Sequence, residues 1–282
     1  MKNQRVLSSL IFVVLFAGSV FPCFNTSVIT LEFPAGAENT GLGESGVSHA
    51  KNIYTVFWNP ASLPSIYDET YANLMSSSFH EMLLPSLKLS DLWHEYTTFG
   101  LFLNDILPYT DLSYSHYKNF VSFGENAITD SFGNEIHRYD ADEEVTANTI
   151  ALRLFDVFSA GFSWKEFNSR LAPGIGGIEH PNSGVAVGNS YDLGFRIGKR
   201  FEILEIFEIE PAIGLSFQGL SKDSTTYIDS CSDCADPIPR NLLYGGSTAF
   251  NILDIFEYTF MYEENYSLVC KEWDDRIKHT GH

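Results

Sequence analysis

The stretch Val157 to Phe167 reads VFSAGFSWKEF, and its alternation decides the fold. Phe158, Ala160, Phe162 and Trp164 share one parity, while Ser159, Gly161, Ser163 and Lys165 share the other. Successive side chains of an extended strand leave opposite faces, so a period of two is its signature. The pattern recurs on both sides. Tyr191, Leu193, Phe195 and Ile197 alternate with Asp192, Gly194, Arg196 and Gly198, and Phe256, Tyr258, Phe260 and Tyr262 alternate with Glu257, Thr259, Met261 and Glu263. Weaker versions cover Thr97 to Asn104, Thr146 to Phe155, Glu208 to Gln218 and Leu243 to Ile252, and helical periodicity is nearly absent.

Two all-β architectures build such strands: a soluble sandwich whose apolar faces meet each other, and an outer-membrane barrel whose apolar faces meet lipid. The segments run to about ten residues, the length a tilted strand needs to cross a bilayer. Their second face carries Gly, Ser, Thr, Asn and charged groups, which suit a wet lumen, and Phe155, Phe167, Tyr191, Phe201, Tyr244 and Tyr266 stand at segment ends like an interfacial girdle. The expected fold is a transmembrane antiparallel β-barrel of the outer membrane, with lipid as a partner. Glu125 to Glu144 and Asn168 to Asn189, rich in acid or in Gly, Pro and Asn, read as long outer loops, and Leu154 to Val157 as a short turn at the other end.

Composition agrees with this class. The chain has 282 residues, 17 basic and 36 acidic, for a net charge of −19, which argues against nucleic acid as a partner. Aromatic residues make up 15% and charged residues only 19%, too apolar for a disordered chain. Lys2 and Arg5 precede the apolar run Leu10 to Ala17 (LIFVVLFA) and the small residues Gly18 and Ser19. This is the layout of a secretory signal peptide, expected over residues 1–24. Val20-Phe21-Pro22 lacks the small residue expected beside a lipidated Cys23.

Residues 25–69 precede the first strand and carry the glycines Gly36, Gly41, Gly43 and Gly46 and the run Asn59-Pro60-Ala61. A phosphate loop needs a preceding strand and a following Lys-Ser/Thr, and both are missing. Glycine and alanine instead leave room where a segment passes close to other backbone. Asn59 caps and Pro60 opens a helical turn, so a compact plug with a barrel over residues 70–282 is the expected organisation.

The order PAGA, GLGESGVSHAKNIYTVFWNPASL in this segment resembles the N-terminal part of the PorV/PorQ group of outer-membrane proteins, similar in turn to FadL-type fatty-acid transport barrels with an N-terminal hatch. Later, Asp236-Pro237-Ile238-Pro239-Arg240-Asn241-Leu242 resembles the motif that opens a late strand in PorV-like chains. The resemblance implies a plugged barrel in the outer membrane of a diderm bacterium. It implies one of two roles: binding exported cargo proteins as an accessory of type IX secretion, or carrying hydrophobic small molecules inward. The family has further strands after the region resembling Lys271 to His282, so closing strands are expected to be missing from this chain.

Chemistry is sparse. Cys231 and Cys234 form a C-x-x-C with no second ligand pair, so a loop disulfide, or two thiols without a role, is expected rather than zinc. The eight histidines have no ligand spacing and no nucleophile elbow occurs. No enzyme, metal or cofactor is expected.

Overall fold

The computed structural model describes residues 26–66, 71–173, 183–204, 206–221, 224–225, 227, 236–253 and 255–269. The signal peptide, Cys231, Cys234 and the segment 271–282 lie outside the described residues.

The chain is all-β. Its strands are β1 (Ala72–Met82), β2 (Leu92–Leu107), β3 (Thr110–Thr129), β4 (Glu135–Leu154), β5 (Phe158–Arg170), β6 (Val185–Gly198), β7 (Phe201–Leu204), β8 (Phe207–Gln218), β9 (Ser224–Thr225), β10 (Asp236–Pro237), β11 (Asn241–Ile252) and β12 (Phe256–Ser267). Nine of them follow one another in the order β1-β2-β3-β4-β5-β6-β8-β11-β12, every neighbour antiparallel, in a sheet curled into a half-barrel. β7 pairs with the start of β8, and β9 and β10 pair with each other. Before the sheet come α1 (Ala37–Gly41), α2 (Thr55–Trp58) and 3-10 turns at Ile29–Leu31 and Pro60–Ser65.

Solvation is inverted relative to a soluble sheet. On β5 the exposed parity is Phe158, Phe162 and Trp164, at 53%, 44% and 40%, while Ser163 and Lys165 are at 0% and 3%. The same holds on neighbouring strands. Ile150, Phe195, Ile197, Ile213 and Phe260 are exposed, and Thr149, Asp192, Arg196 and Ser216 are buried. The polar face is buried because residues 26–66 lie against it. Val47, Val56, Phe57 and Leu63 from that segment pack with Tyr96, Phe102 and Tyr117 from β2 and β3 into one core, where each large apolar side chain contributes about 1.5–3 kcal/mol.

The structure departs from the sequence reading in several places, among them the expected loop Asn168 to Asn189, whose ends are strand, since β5 continues to Arg170 and pairs there with Val185 of β6. Phe167 takes the inward parity and is buried at 5%, which rules it out of a girdle, whereas Phe155, Tyr191, Phe201, Tyr244 and Tyr266 are exposed. Glu125 to Glu144 is strand rather than loop: β3 and β4 stay paired as far as Thr129 with Glu135. Both faces of this extension meet solvent, so no apolar alternation marks it in the sequence.

Candidate functional site

The inward face of the sheet and the segment on it form the candidate site. Asn59 sits at its centre, fully buried. Its Oδ1 accepts from Ala61 N at 3.0 Å, capping the 3-10 turn that Pro60 opens. Its Nδ2 donates to Val47 O at 2.6 Å and to Phe195 O of β6 at 3.1 Å. The capping residue therefore also ties the segment to the sheet.

Strand glycines make this approach possible. Gly161 and Gly194 pair across β5 and β6. A Cβ on Gly194 would lie 2.0 Å from Asn59 Oδ1, and one on Gly161 would lie 2.4 Å from the Pro60 carbonyl carbon. On β8, a Cβ at Gly214 would lie 2.0 Å from Val47 O. These are glycines because another backbone passes over them.

The motif glycines divide into two kinds. A Cβ on Gly36, whose φ is +88°, would meet Tyr54, and one on Gly46 would meet Trp58 Cγ at 2.5 Å. Gly41 and Gly43 have open space around them, so close passage does not account for them; Gly43 has a φ of +78° instead. The late motif reaches the same segment. Ser27 N donates to Pro237 O at 3.0 Å, Ser27 Oγ approaches Asp236 O at 3.4 Å, and Asn241 Nδ2 donates to Glu32 Oε1 at 2.9 Å. Pro239 O packs on Gly219, Ile238 and Pro239 are buried, and Arg240 O accepts from Leu268 N at 2.8 Å. The structure thus brings the two motifs onto one segment, a meeting that the sequence left open.

Ionised groups hold the rest. Glu143 of β4, 1% exposed, accepts from Thr30 N, Thr30 Oγ1 and Ser169 Oγ at 3.1, 2.9 and 2.7 Å. Arg196 of β6 donates to Ser48 O, Ser65 Oγ and Glu210 Oε1, each at 2.9 Å. Glu263 of β12 accepts from Gly46 N and Val47 N, both at 2.8 Å. Lys165 and Asp192 form a buried ion pair at 2.5 Å, with the Phe57 ring of the segment 5.9 Å from the ammonium. Sequence reading named none of these as site residues. The available signal was charge at inward parity in strands that otherwise place Gly and Ser there. At the rim, Lys51 pairs with Glu257. Burial pushes the His49 imidazole below its usual value, opposed by Glu38, which is 3.5 Å away.

Two hollows adjoin this site. A polar cavity of about 330 Å³ at the short-turn end is lined by residues including Asp111, Arg153, Arg196, Lys199 and Glu210. Its charges are largely paired, Arg153 with Asp111 at 2.6 Å and Arg196 with Glu210. An apolar depression of about 570 Å³ involves Ile197, Phe201, Pro211, Ile213 and Phe260, and shares Gly198 and Lys199 with the polar cavity. Among the described residues no cluster of His, Cys, Asp and Glu could hold a metal ion. What the arrangement does chemically is hold a polar segment against a polar sheet face. No protein-family model matches the chain, and no curated protein matches it.

Proposed function

We propose that the chain is an outer-membrane barrel protein of the PorV/PorQ type that binds exported proteins as an accessory of their secretion. In this reading lipid covers the exposed apolar parity of the strands and residues 26–66 plug the polar interior. The observation that carries the binding role is the occupancy of that interior. Asn59, Ala61, Ser62 and Leu63 are all at 0% exposure against β5 and β6, where even a Cβ on Gly161 or Gly194 would meet them. Function then falls to surfaces outside the plug.

Two experiments test it. Phe162→Arg should impair membrane assembly by roughly 2–4 kcal/mol, as a cation facing lipid near mid-bilayer does. Heat-modifiable gel mobility of the membrane fraction reads this out, and normal assembly of the variant would point to a soluble sandwich. Co-purification of the tagged, membrane-extracted protein should recover secreted proteins or a surface peptidase. Unchanged secretion after deletion of the gene would overturn the role.

A second reading, inward transport of hydrophobic molecules in the FadL manner, draws on the apolar depression beside Gly198 and Lys199. Saturable binding of a fatty acid by the assembled protein, weakened in Ile213→Ala, would favour it over cargo binding.

A further inference from the structure

The β3–β4 hairpin outgrows its sheet. β2 pairs with β3 up to Leu92 with Phe123, and β5 pairs with β4 from Asp142 with Arg170. Above these positions β3 and β4 pair only with each other, ending at Thr129 with Glu135. Six residues at about 3.3 Å each make an arm of roughly 20 Å.

Its base, shaft and tip are each organised. The register shifts between Ser122 and Glu125, where Gly124 has a φ of +78°, a glycine bulge that re-aims a strand. Asp91 braces the bend by accepting from Ser122 Oγ at 2.7 Å through its carbonyl and from Glu125 N at 3.4 Å through its carboxylate. Along the shaft, Arg138 bridges Glu125 at 2.9 Å and Glu135 at 2.7 Å, and His137 Nε2 bonds to Pro173 O at 3.2 Å. At the tip, Asp130 Oδ1 accepts from Phe132 N and Asn134 N, both at 2.8 Å. The Asn134 side-chain amide, which donates to Asp130 Oδ2 at 2.9 Å, and then these backbone bonds hold the Asp130 carboxyl below its usual value. The turn so fixed presents Phe132 at 88% exposure, with Ile136 at 67% close behind.

Pre-ordering of this kind lowers the entropy cost of binding. Both edges of the arm expose backbone donors and acceptors that no strand pairs among the described residues, which suits the addition of an extended chain. From Gly124 to Ala141 the carboxylates of Glu125, Asp130, Glu135 and Asp140 outnumber the single guanidinium of Arg138. That charge repels an anionic membrane surface and attracts a basic polypeptide.

We propose that the arm is the docking element for an extended, basic segment of a partner protein, which adds along an arm edge and covers Phe132 with its apolar side chains. This rests on the protein-binding reading above and names the chemistry of what is bound.

The test uses the full chain in detergent and two labelled ten-residue probes, one alternating Lys with Val and the other Glu with Val. Binding is read by fluorescence anisotropy at about 0.15 M salt, where distant charges are screened. The Lys-Val peptide should bind and the Glu-Val peptide should not. Phe132→Ala and Asp140→Lys should each weaken binding roughly tenfold, about 1.4 kcal/mol, in the range of an interface anchor. Neither side chain braces the arm. Glu202→Lys, at the opposite end of the sheet, should leave binding unchanged. Equal affinity in all variants would overturn the proposal, since binding would then follow net charge alone. So would Phe132-dependent binding to phosphatidylcholine–phosphatidylglycerol vesicles without peptide binding, which would make the arm a membrane anchor. Capture of secreted proteins separates the two levels. If wild type and Phe132→Ala recover the same proteins equally, the arm fails and the cargo-binding role stands; if wild type recovers none, that role fails.

Discussion

Gly194→Leu yields a protein whose sheet assembles but whose N-terminal segment is not seated. The first added carbon already lies 2.0 Å from Asn59 Oδ1 and 2.9 Å from Ala61 N and Pro60 Cδ. These atoms belong to a buried cap that cannot swing aside. Ordinary overpacking costs about 1–3 kcal/mol, and here displacement also breaks the Asn59 bonds to Ala61, Val47 and Phe195, leaving buried polar atoms at a further cost of about 1–3 kcal/mol each. The segment is therefore expelled rather than strained. A polar side chain suits an inward position that faces water, but the packing of Asn59 leaves no room for one at Gly194. Limited proteolysis in detergent, read by mass spectrometry, checks it. Wild type should be protected between Val47 and Leu63, Gly194→Leu should be cut there while keeping heat-modifiable mobility, and Gly41→Ala, with open space around it, should behave as wild type. Protection of Gly194→Leu equal to wild type would show that the segment is not seated on β6.

Asp192→Ala comes next in size, with an expected loss of about 3–5 kcal/mol, the range for stripping one partner from a buried ion pair. Lys165 and Asp192 are 3% and 0% exposed, so the stranded ammonium has no route to water. Phe57 offers it only a ring face at 5.9 Å. The aspartate has a second duty. Its Oδ1 accepts from Gly219 N at 3.1 Å, beside the point where Pro239 O packs on Gly219. The loss should accordingly reach the β8–β11 connection as well. A paired replacement separates charge from shape: Lys165→Met with Asp192→Asn keeps an acceptor for Gly219 and removes both charges, and should recover most of the stability. Urea unfolding followed by tryptophan fluorescence gives both values. A single variant that loses under about 1 kcal/mol would mean that water reaches Lys165.

The strands were legible because side-chain parity is a local property. Phe158, Phe162 and Trp164 against Ser159, Ser163 and Lys165 need no distant residue to declare two faces. Asn59-Pro60 was equally legible as the start of a turn, since a cap acts within two residues of itself. The extension of β3 and β4 was not: with solvent on both faces, Glu125 to Tyr139 shows no contrast to read. Phe167 was misread for a related reason, as its aromatic ring suggested a girdle while its parity, counted from Phe158, placed it inward.

Tertiary structure decided everything that depends on residues far apart in the chain meeting. Gly161, Gly194 and Gly214 look in sequence like lumen-lining positions that need no side chain. They are glycines because Pro60, Asn59 and Val47 cross them, more than 100 positions away in the chain. The late motif at Asp236 to Asn241 likewise gains its place only when Ser27 and Glu32 arrive beside it. Lys165 and Asp192 are each a charge at inward parity until the sheet sets them 2.5 Å apart. Sequence by itself determined which face of each strand is apolar, because that is written in alternate residues; what covers the polar face was decided by long-range contacts, whose partners no local period encodes.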